Sequence, residues 1–420
     1  MKNIIINGGV PLEGTINISG SKNATLPLMA SALLTDEEVI FCNLPYLLDI
    51  TTMSQLLLNH GVKLTFINVD DILKLSVKAQ NIDNLIAPHK IVSNMRASIL
   101  VLGPLLARFG KAKVSLPGGC AIGLRPVDIH IKALEAMGAI ISIDQGYINA
   151  TAPNGLTGTE ITFSKISVGA TENIAMAGTL AKGTTILNNC AIEPEVTFLM
   201  NSLVKMGANI KGIGTRTLTI TGVEKLHGSS IDIIKDRIEL GSYVIATAMT
   251  KGKVFFPNVK LELLGDCYDI LQQAGIHLEP VNNGLEVYAS SNKFNTIDIK
   301  TEVYPGIPTD MQAQLMTLMT IANGDSKICE SIFENRFMHV PELNRMGANI
   351  EIHNNTAHIK GVNNLIGTEV KATDLRASIS LVIAGLVAKG KTIIHNTHHI
   401  DRGYDSFIEK LRNCNANISR

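Results

Sequence analysis

The sequence predicts an α/β protein of two domains, each assembled from three copies of one βαβαββ unit, with helices inside and sheets outside. Three observations carry that expectation. The chain has 420 residues, too many for one compact core. One phrase occurs six times: G-V-K-L at Gly61, G-A-I-I at Gly138, G-A-N-I at Gly207, G-I-H-L at Gly275, G-A-N-I at Gly347 and N-A-N-I at Asn415. Its interval of roughly 70 residues is that of a repeated supersecondary unit. Finally, the segments Ala97–Phe109 and Ala377–Ala388 are apolar almost all round and rich in small residues. Helices of that kind must be enclosed on every side, with close approaches between them. Six such units cannot share one centre, so three fall to each domain.

Each copy repeats one order of parts. A β-rich run leads (Thr15 to Ile18, Glu160 to Phe163, Ser230 to Ile234, Thr296 to Ile299, Glu369 to Lys371) and a polar cluster follows. The first helix comes next and is expected to end at a C-cap glycine: Gly110, Gly183, Gly252, Gly324 or Gly390. A second helix has a one-sided stripe, as in Phe198, Leu199, Leu203 and Met206 with Asn201 and Lys205 off it. The recurring phrase then turns the chain into an edge strand.

Two features suggest chemistry. The run S-L-P-G-G-C-A-I-G-L-R-P-V-D-I-H from Ser115 to His130 reads as a backbone-exposed loop carrying a thiol, Cys120, and a guanidinium, Arg125. Pro126 suits a first helical position, and Val127, Ile131, Leu134 and Gly138 share a face of the helix that follows. Secondly, each first helix starts on a capping type: Ser21-Lys22-Asn23, Asn94-Met95-Arg96, Ser167-Val168-Gly169, Asp236-Arg237, Thr309-Asp310 and Asp374-Leu375-Arg376. Four of these starts hold a cation, Lys22, Arg96, Arg237 or Arg376, although the helix dipole disfavours one there. An anionic ligand accounts for them, because free N–H groups and added Lys or Arg complete a phosphate or carboxylate site. Parallel inner helices in two facing domains would enclose a cationic cleft.

Composition narrows the classes. Lys plus Arg and Asp plus Glu both number 37, and Trp is absent, so neither a nucleic-acid field nor a base-stacking surface is expected. The cysteines Cys42, Cys120, Cys190, Cys267, Cys329 and Cys414 form no C-x-x-C pair, the usage of a reducing cytosol. No apolar run reaches the ~20 residues of a membrane span, and Ile4–Ile6 is too short for a signal-peptide core. A cytoplasmic location and no membrane partner are expected. His395, His398, His399 and Asp401 are a weak metal pattern, and K-G-I-G-T-R-T at Lys211 lacks the third glycine of a dinucleotide fingerprint. No cofactor is expected.

The long loop motif, together with S-K-N at Ser21, N-M-R-A-S at Asn94, S-V-G-A-T-E-N at Ser167, P-G-I-P-T-D-M-Q-A-Q at Pro305, F-E-N-R-F-M-H-V-P-E-L at Phe333, D-L-R-A-S at Asp374 and H-I-D-R-G-Y at His399, closely resembles the UDP-N-acetylglucosamine 1-carboxyvinyltransferase family of enolpyruvyl transferases. The resemblance covers essentially the whole chain. It implies two inside-out α/β barrels, with the chain crossing between domains near Gly20 and Lys235. Residues 22–235 would then carry the UDP-sugar contacts and the Cys120 loop, while 1–21 with 236–420 would complete the active-site cleft. The implied reaction moves the enolpyruvyl group of phosphoenolpyruvate onto the 3′-hydroxyl of UDP-N-acetylglucosamine, by addition and then elimination, in the first committed step of peptidoglycan synthesis.

That resemblance also implies roles. Lys22, Arg125 and Arg402 would meet phosphoenolpyruvate, with Arg96, Arg336 and Arg376 close by. Asp310 would be the base, and Cys120 a proton donor open to alkylation by fosfomycin. Sugar-nucleotide contacts would come from Asn23, Pro126, Val127, Asp128, Ile129, His130, Lys165, Ser167, Val168, Gly169 and Ile332. One alternative is the sister transferase acting on shikimate 3-phosphate, whose family lacks the P-G-G-C loop. Another is a non-catalytic nucleotide-sugar-binding paralogue.

Overall fold

The recurring phrase is a helix stop in the computed structural model of the chain, which describes residues 3–69, 72–117, 127–289 and 293–420. Gly61, Gly138, Gly207, Gly275 and Gly347 all have φ between 89° and 103°, and Asn415 takes the sixth position at 69°. In that left-handed conformation the last carbonyls of the helix are satisfied by the turn itself. At Gly207, for example, its N–H donates to the Val204 carbonyl at 2.9 Å and the Ala208 N–H donates to that of Leu203 at 3.0 Å. The same pair of bonds recurs at Gly61, Gly138, Gly347 and Asn415.

The described residues make six four-stranded sheets of mixed α/β architecture, divided between two units. The first unit comprises described residues from 20 to 234, and the second comprises 3–19 with those from 235 to 420. Every sheet has the same plan: an edge strand parallel to its neighbour, then two antiparallel pairings. Glu160–Thr162, Thr184–Asn188, Thr217–Thr221 and Asn209–Lys211 show it in spatial order.

In two copies the leading strand does not join the strands that follow it in sequence. Glu13–Thr15 runs parallel to Lys253–Pro257, and Ser229–Asp232 runs parallel to Glu38–Cys42. The first and fourth leading strands have thus changed places. The N-terminal strand Ile4–Asn7 likewise lies between Lys391–His395 and Asn417–Ser419.

Inside the first unit the inner helices are α1 (Lys22–Ser31), α2 (Leu102–Phe109) and α3 (Val168–Gly178). Inside the second they are α4 (Arg237–Met249), α5 (Gln312–Met319) and α6 (Leu375–Val387). In α4 and α6 nearly every side chain is buried, polar Ser242, Thr247, Ser378 and Ser380 included, and their hydroxyls bond back to carbonyls three or four residues earlier. The three inner helices of the second unit pack on one another, as do α2 with α3 and α1 with α3 in the first. Each unit has its own apolar core.

Two expectations need correction. The helix expected over Ala97–Phe109 is split into a 3₁₀ segment, Arg96–Val101, and α2. Pro104 removes one donor, and the side-chain amide of Asn173 enters the ladder one step earlier. Its Oδ1 accepts the Gly103 N–H at 2.7 Å and its Nδ2 donates to the Ile99 carbonyl at 3.2 Å, the two groups an unbroken helix would join to each other. Among the five glycines expected at first-helix ends, Gly110 alone is a cap, at φ 67°. The other four helices close on Thr179, Thr250, Thr320 and Ala388 in ordinary right-handed or extended backbone, and Gly183, Gly252, Gly324 and Gly390 belong to the turns beyond.

Alanine at two buried glycines should therefore behave differently. A Cβ on Gly103 would stand 2.3 Å from Asn173 Oδ1 and 2.4 Å from the Asn173 backbone oxygen, so Gly103→Ala should cost about 1–3 kcal/mol. A Cβ on Gly241 meets the tip of Met311 at 2.6 Å, which can swing aside, while the helix gains up to about 1 kcal/mol in propensity. Urea denaturation should show a clear loss for the first variant and a change near zero for the second; equal losses would contradict this account.

Candidate active site

The second unit gathers its polar atoms at the starts of its inner helices. Asp310 sits in the 3₁₀ turn Thr309–Met311 just before α5. Its Oδ1 accepts from Arg336 Nη2 at 2.7 Å and its Oδ2 from Arg376 Nη2 at 2.9 Å, and both guanidinium side chains are buried. A carboxylate with one cation on each oxygen is ionised at neutral pH. Burial alone would lower the pKa of Arg376, but Asp310, Tyr404 and Asp236 together outweigh it and the guanidinium is held above its usual range.

A second layer fixes these groups. Arg336 Nη1 donates to Thr309 Oγ1 at 3.0 Å, and that hydroxyl donates to Glu330 Oε2 at 2.8 Å. Glu330 Oε1 accepts from Thr301 Oγ1 at 2.9 Å and from the Ile332 N–H at 2.8 Å. On the other side, Arg376 Nη1 donates to the Tyr404 hydroxyl at 3.2 Å, which lies 2.8 Å from Ser242 Oγ. Gln314 Nε2 donates to Ser242 Oγ and to the Asp310 carbonyl, each at 3.0 Å. Residues from α4, α5 and α6 meet here, near their N-termini. Arg402 ends the 3₁₀ segment Thr397–Arg402, two residues before Tyr404.

In the first unit, Lys22 opens α1 behind the Ser21 cap, and its Nζ lies 3.6 Å from Asp49 Oδ2. Asn23 follows it, half-buried. Arg96 opens the 3₁₀ segment and is close enough to His130 to disfavour a second positive charge. Val127 precedes the helix Asp128–Ala136, where Ile129 and His130 are buried and Asp128 pairs with Lys132 at 3.7 Å. Ser167 caps α3 by accepting the Ala170 N–H at 3.3 Å, Val168 and Gly169 form its first turn, and Lys165 is exposed just before it. Cys120, Arg125 and Pro126 lie outside the described residues.

The capping expectation holds at Ser21, Ser167, Asp236 and Asp374. At the other two starts it fails. Asn94 Nδ2 donates to the Lys90 carbonyl and Met95 stands at the cap position without a side-chain bond. Thr309 and Asp310 point instead at Glu330 and the two arginines. The anions facing Lys22 and Arg376 in this structure are the protein's own Asp49 and Asp310.

Several functional neighbours carry no local signal. Tyr404 and Gln314 fall inside the motifs H-I-D-R-G-Y and P-G-I-P-T-D-M-Q-A-Q, but each also has partners far away in sequence. The same is true of Ser242, Glu330, Asp49 and Asn173. The histidine group near the C-terminus has other duties: His395 faces Asn3 and Glu369, and Asp401 is held by Arg420. No group of three or more His, Cys, Asp or Glu suited to a metal ion occurs among the described residues. Burial pushes the thiols of Cys190 and Cys267 up to about 11 and about 12, away from reactivity.

Comparison with known proteins fixes the family. The family model EPSP synthase (3-phosphoshikimate 1-carboxyvinyltransferase) matches residues 6–411. A UDP-N-acetylglucosamine 1-carboxyvinyltransferase of Paramagnetospirillum magneticum is 52% identical over 426 residues, covering 100% of this chain and 98% of that protein. This chain belongs to the UDP-N-acetylglucosamine 1-carboxyvinyltransferase branch of the enolpyruvyl transferases. The protein of the same description from Rickettsia akari is 51% identical over 420 residues, with 100% of both covered. The crystal structure of the enolpyruvyl transferase NikO from Streptomyces tendae has the same fold, with a TM-score of 0.90 at 24% identity over 99% of this chain and 98% of that one. No helix among the described residues is long and apolar enough to cross a membrane.

Two buried histidines in these clusters predict how stability follows pH. Burial, with Arg96 beside His130 and Arg336 beside His339, pushes both imidazoles down to about 4 from 6.5. An unfolded chain takes up these protons near its ordinary value, whereas the folded chain resists until about pH 4. Stability is thus complete above pH 6.5 and falls as the pH drops towards 4, by about 3 kcal/mol for His130 and in the same direction for His339. Urea titrations at several pH values should show this slope, and His339→Gln should flatten it; a slope unchanged in that variant would refute the assignment.

Proposed function

We propose that this protein transfers the enolpyruvyl group of phosphoenolpyruvate to the 3′-hydroxyl of UDP-N-acetylglucosamine, releasing phosphate, in the opening step of peptidoglycan synthesis. The observation that carries the reading is identity of 51–52% along the full chain to proteins of that description. The addition step needs a proton delivered to C3, cationic character at C2 and a base for the attacking hydroxyl. Asp310 is the base, and its ionised state supports that role. Two guanidiniums on its oxygens also weaken it as a proton acceptor. Anionic substrate groups that draw Arg336 and Arg376 away would restore basicity at the moment the hydroxyl must be deprotonated.

The remaining roles follow the same reading. Lys22, Arg125 and Arg402 meet phosphoenolpyruvate, with Arg96 nearby, and Cys120 supplies the proton. The sugar nucleotide is met by Asn23, Pro126, Val127, Asp128, Ile129, His130, Lys165, Ser167, Val168, Gly169 and Ile332. Each unit is an inside-out barrel, supported by inner helices that pack on one another and are nearly fully buried. The location proposed for the protein is the cytoplasm.

Purified protein given UDP-N-acetylglucosamine and phosphoenolpyruvate should release inorganic phosphate, and shikimate 3-phosphate should not replace the sugar. Release with shikimate 3-phosphate alone would reassign the acceptor. Removing a general base is typically worth ~10²–10⁴ in rate, so Asp310→Ala should lower kcat by that order. A variant with near-normal kcat would exclude Asp310 from proton transfer.

A further inference from the structure

We propose that Asn173 is a positioning residue that holds His130 as a neutral imidazole with its proton on Nε2, so that His130 meets the nucleotide sugar as a hydrogen-bond donor. The inference rests on the proposed sugar-nucleotide role of His130, Val168 and Gly169. Asn173 is fully buried in the first turns of α3. Its Oδ1 receives the Gly103 N–H and its Nδ2 faces the Ile99 carbonyl. A backbone N–H can only donate and a carbonyl can only accept, so these two partners fix which end of the amide is oxygen. The second N–H of Nδ2 then faces His130 Nδ1 at 3.0 Å.

A donor aimed at Nδ1 requires a lone pair there, which leaves the single imidazole proton on Nε2. Protonating Nδ1 would set two donors against each other. Burial and Arg96 act in the same direction, with Asp128 the opposing charge. The Nε2 edge of the ring looks toward the first turn of α3: a Cβ on Gly169 would lie 3.6 Å from His130 Cε1 and 3.8 Å from Nε2. Glycine at that position puts no side chain of its own against this edge.

One amide therefore ties together three segments, of which the last two carry proposed sugar-nucleotide contacts. They are the stretch from Arg96 into α2, the helix Asp128–Ala136 and the start of α3. Asn173 touches no reacting atom on this reading. It acts by orienting and polarising His130.

The test uses the full chain labelled with ¹⁵N-histidine. Long-range ¹H–¹⁵N spectra should show His130 with its proton on Nε2, and adding UDP-N-acetylglucosamine should shift that proton without changing the tautomer. A proton on Nδ1, or an Nε2 proton indifferent to saturating sugar nucleotide, would overturn the proposal. Asn173→Asp keeps the shape but puts an acceptor opposite Nδ1, so the His130 proton should move there. The KM for UDP-N-acetylglucosamine should then rise about tenfold, the scale of one hydrogen bond, while that for phosphoenolpyruvate stays within about twofold. A folded variant with unchanged KM would also overturn it. Should that variant not fold, the wild-type spectra decide alone. Absence of phosphate release with a sugar-responsive Nε2 proton would count against the proposed reaction only, whereas an active transferase with the proton on Nδ1 would count against Asn173 only.

Discussion

Enclosure of the inner helices is the constraint from which the rest of this structure follows. A helix surrounded by protein has no water to satisfy its first four N–H groups, so polar atoms must be supplied at its start. Ser21, Ser167, Asp236 and Asp374 do this directly. Along the rest of each helix apolar packing leaves few polar groups, chiefly hydroxyls that bond back to their own ladder. Chemistry is thereby confined to the helix starts before any substrate is considered. Each unit also relies on a buried amide, Asn173 in one and Gln314 in the other, because a carboxamide can donate and accept in one place.

Charge obeys the same constraint. A buried ion contributes little net stability when paired but costs about 3–5 kcal/mol when its partner is removed. Arg336 and Arg376 are tolerable inside the second unit because Asp310 answers both. Glu239, whose pKa burial raises, is answered by Lys410 at 2.7 Å and by the Ser19 N–H, also at 2.7 Å. Such clusters are a poor route to stability and a good route to fixed fields. A chain with equal numbers of acidic and basic residues can in this way hold strongly cationic spots.

Features set by local rules were legible in the sequence, and those set by distant contacts were not. The six helix stops could be read because a left-handed residue after a helix demands Gly or Asn whatever surrounds it. Burial of α6 was legible from its lack of a polar face. Pro104 marked a weak point near the start of α2 in the sequence, but the partner that completes the break, Asn173, lies 70 residues from Gly103 and was hidden. Asp310 looked like one of two possible caps, since the arginines that hold it are 26 and 66 residues away. The exchanged leading strands could not be read from the strands themselves. A short β run carries no mark of which parallel neighbour it will choose, and all six sheets offer the same kind of edge.

That exchange makes the two units unequal in how they can form. The first is one continuous stretch that can complete its sheets once Ser229–Asp232 has been made. The second needs both chain ends: Ile4–Asn7 must find Lys391–His395 and Asn417–Ser419, and Glu13–Thr15 must find Lys253–Pro257. Contacts of such separation form late because loop closure must be met before they reward it. The segment before Gly20 therefore depends on partners far away in sequence, and it is held at several points. Ile16 and Ile18 are buried in the second core, the Ser19 N–H and hydroxyl are held by Glu239 and Lys410, and the Ile18 carbonyl accepts from Lys235 Nζ. Residues that read as the β-rich start of a repeat are thus bound to a core assembled from the far end of the chain, and Lys22 begins its helix three residues after that anchor.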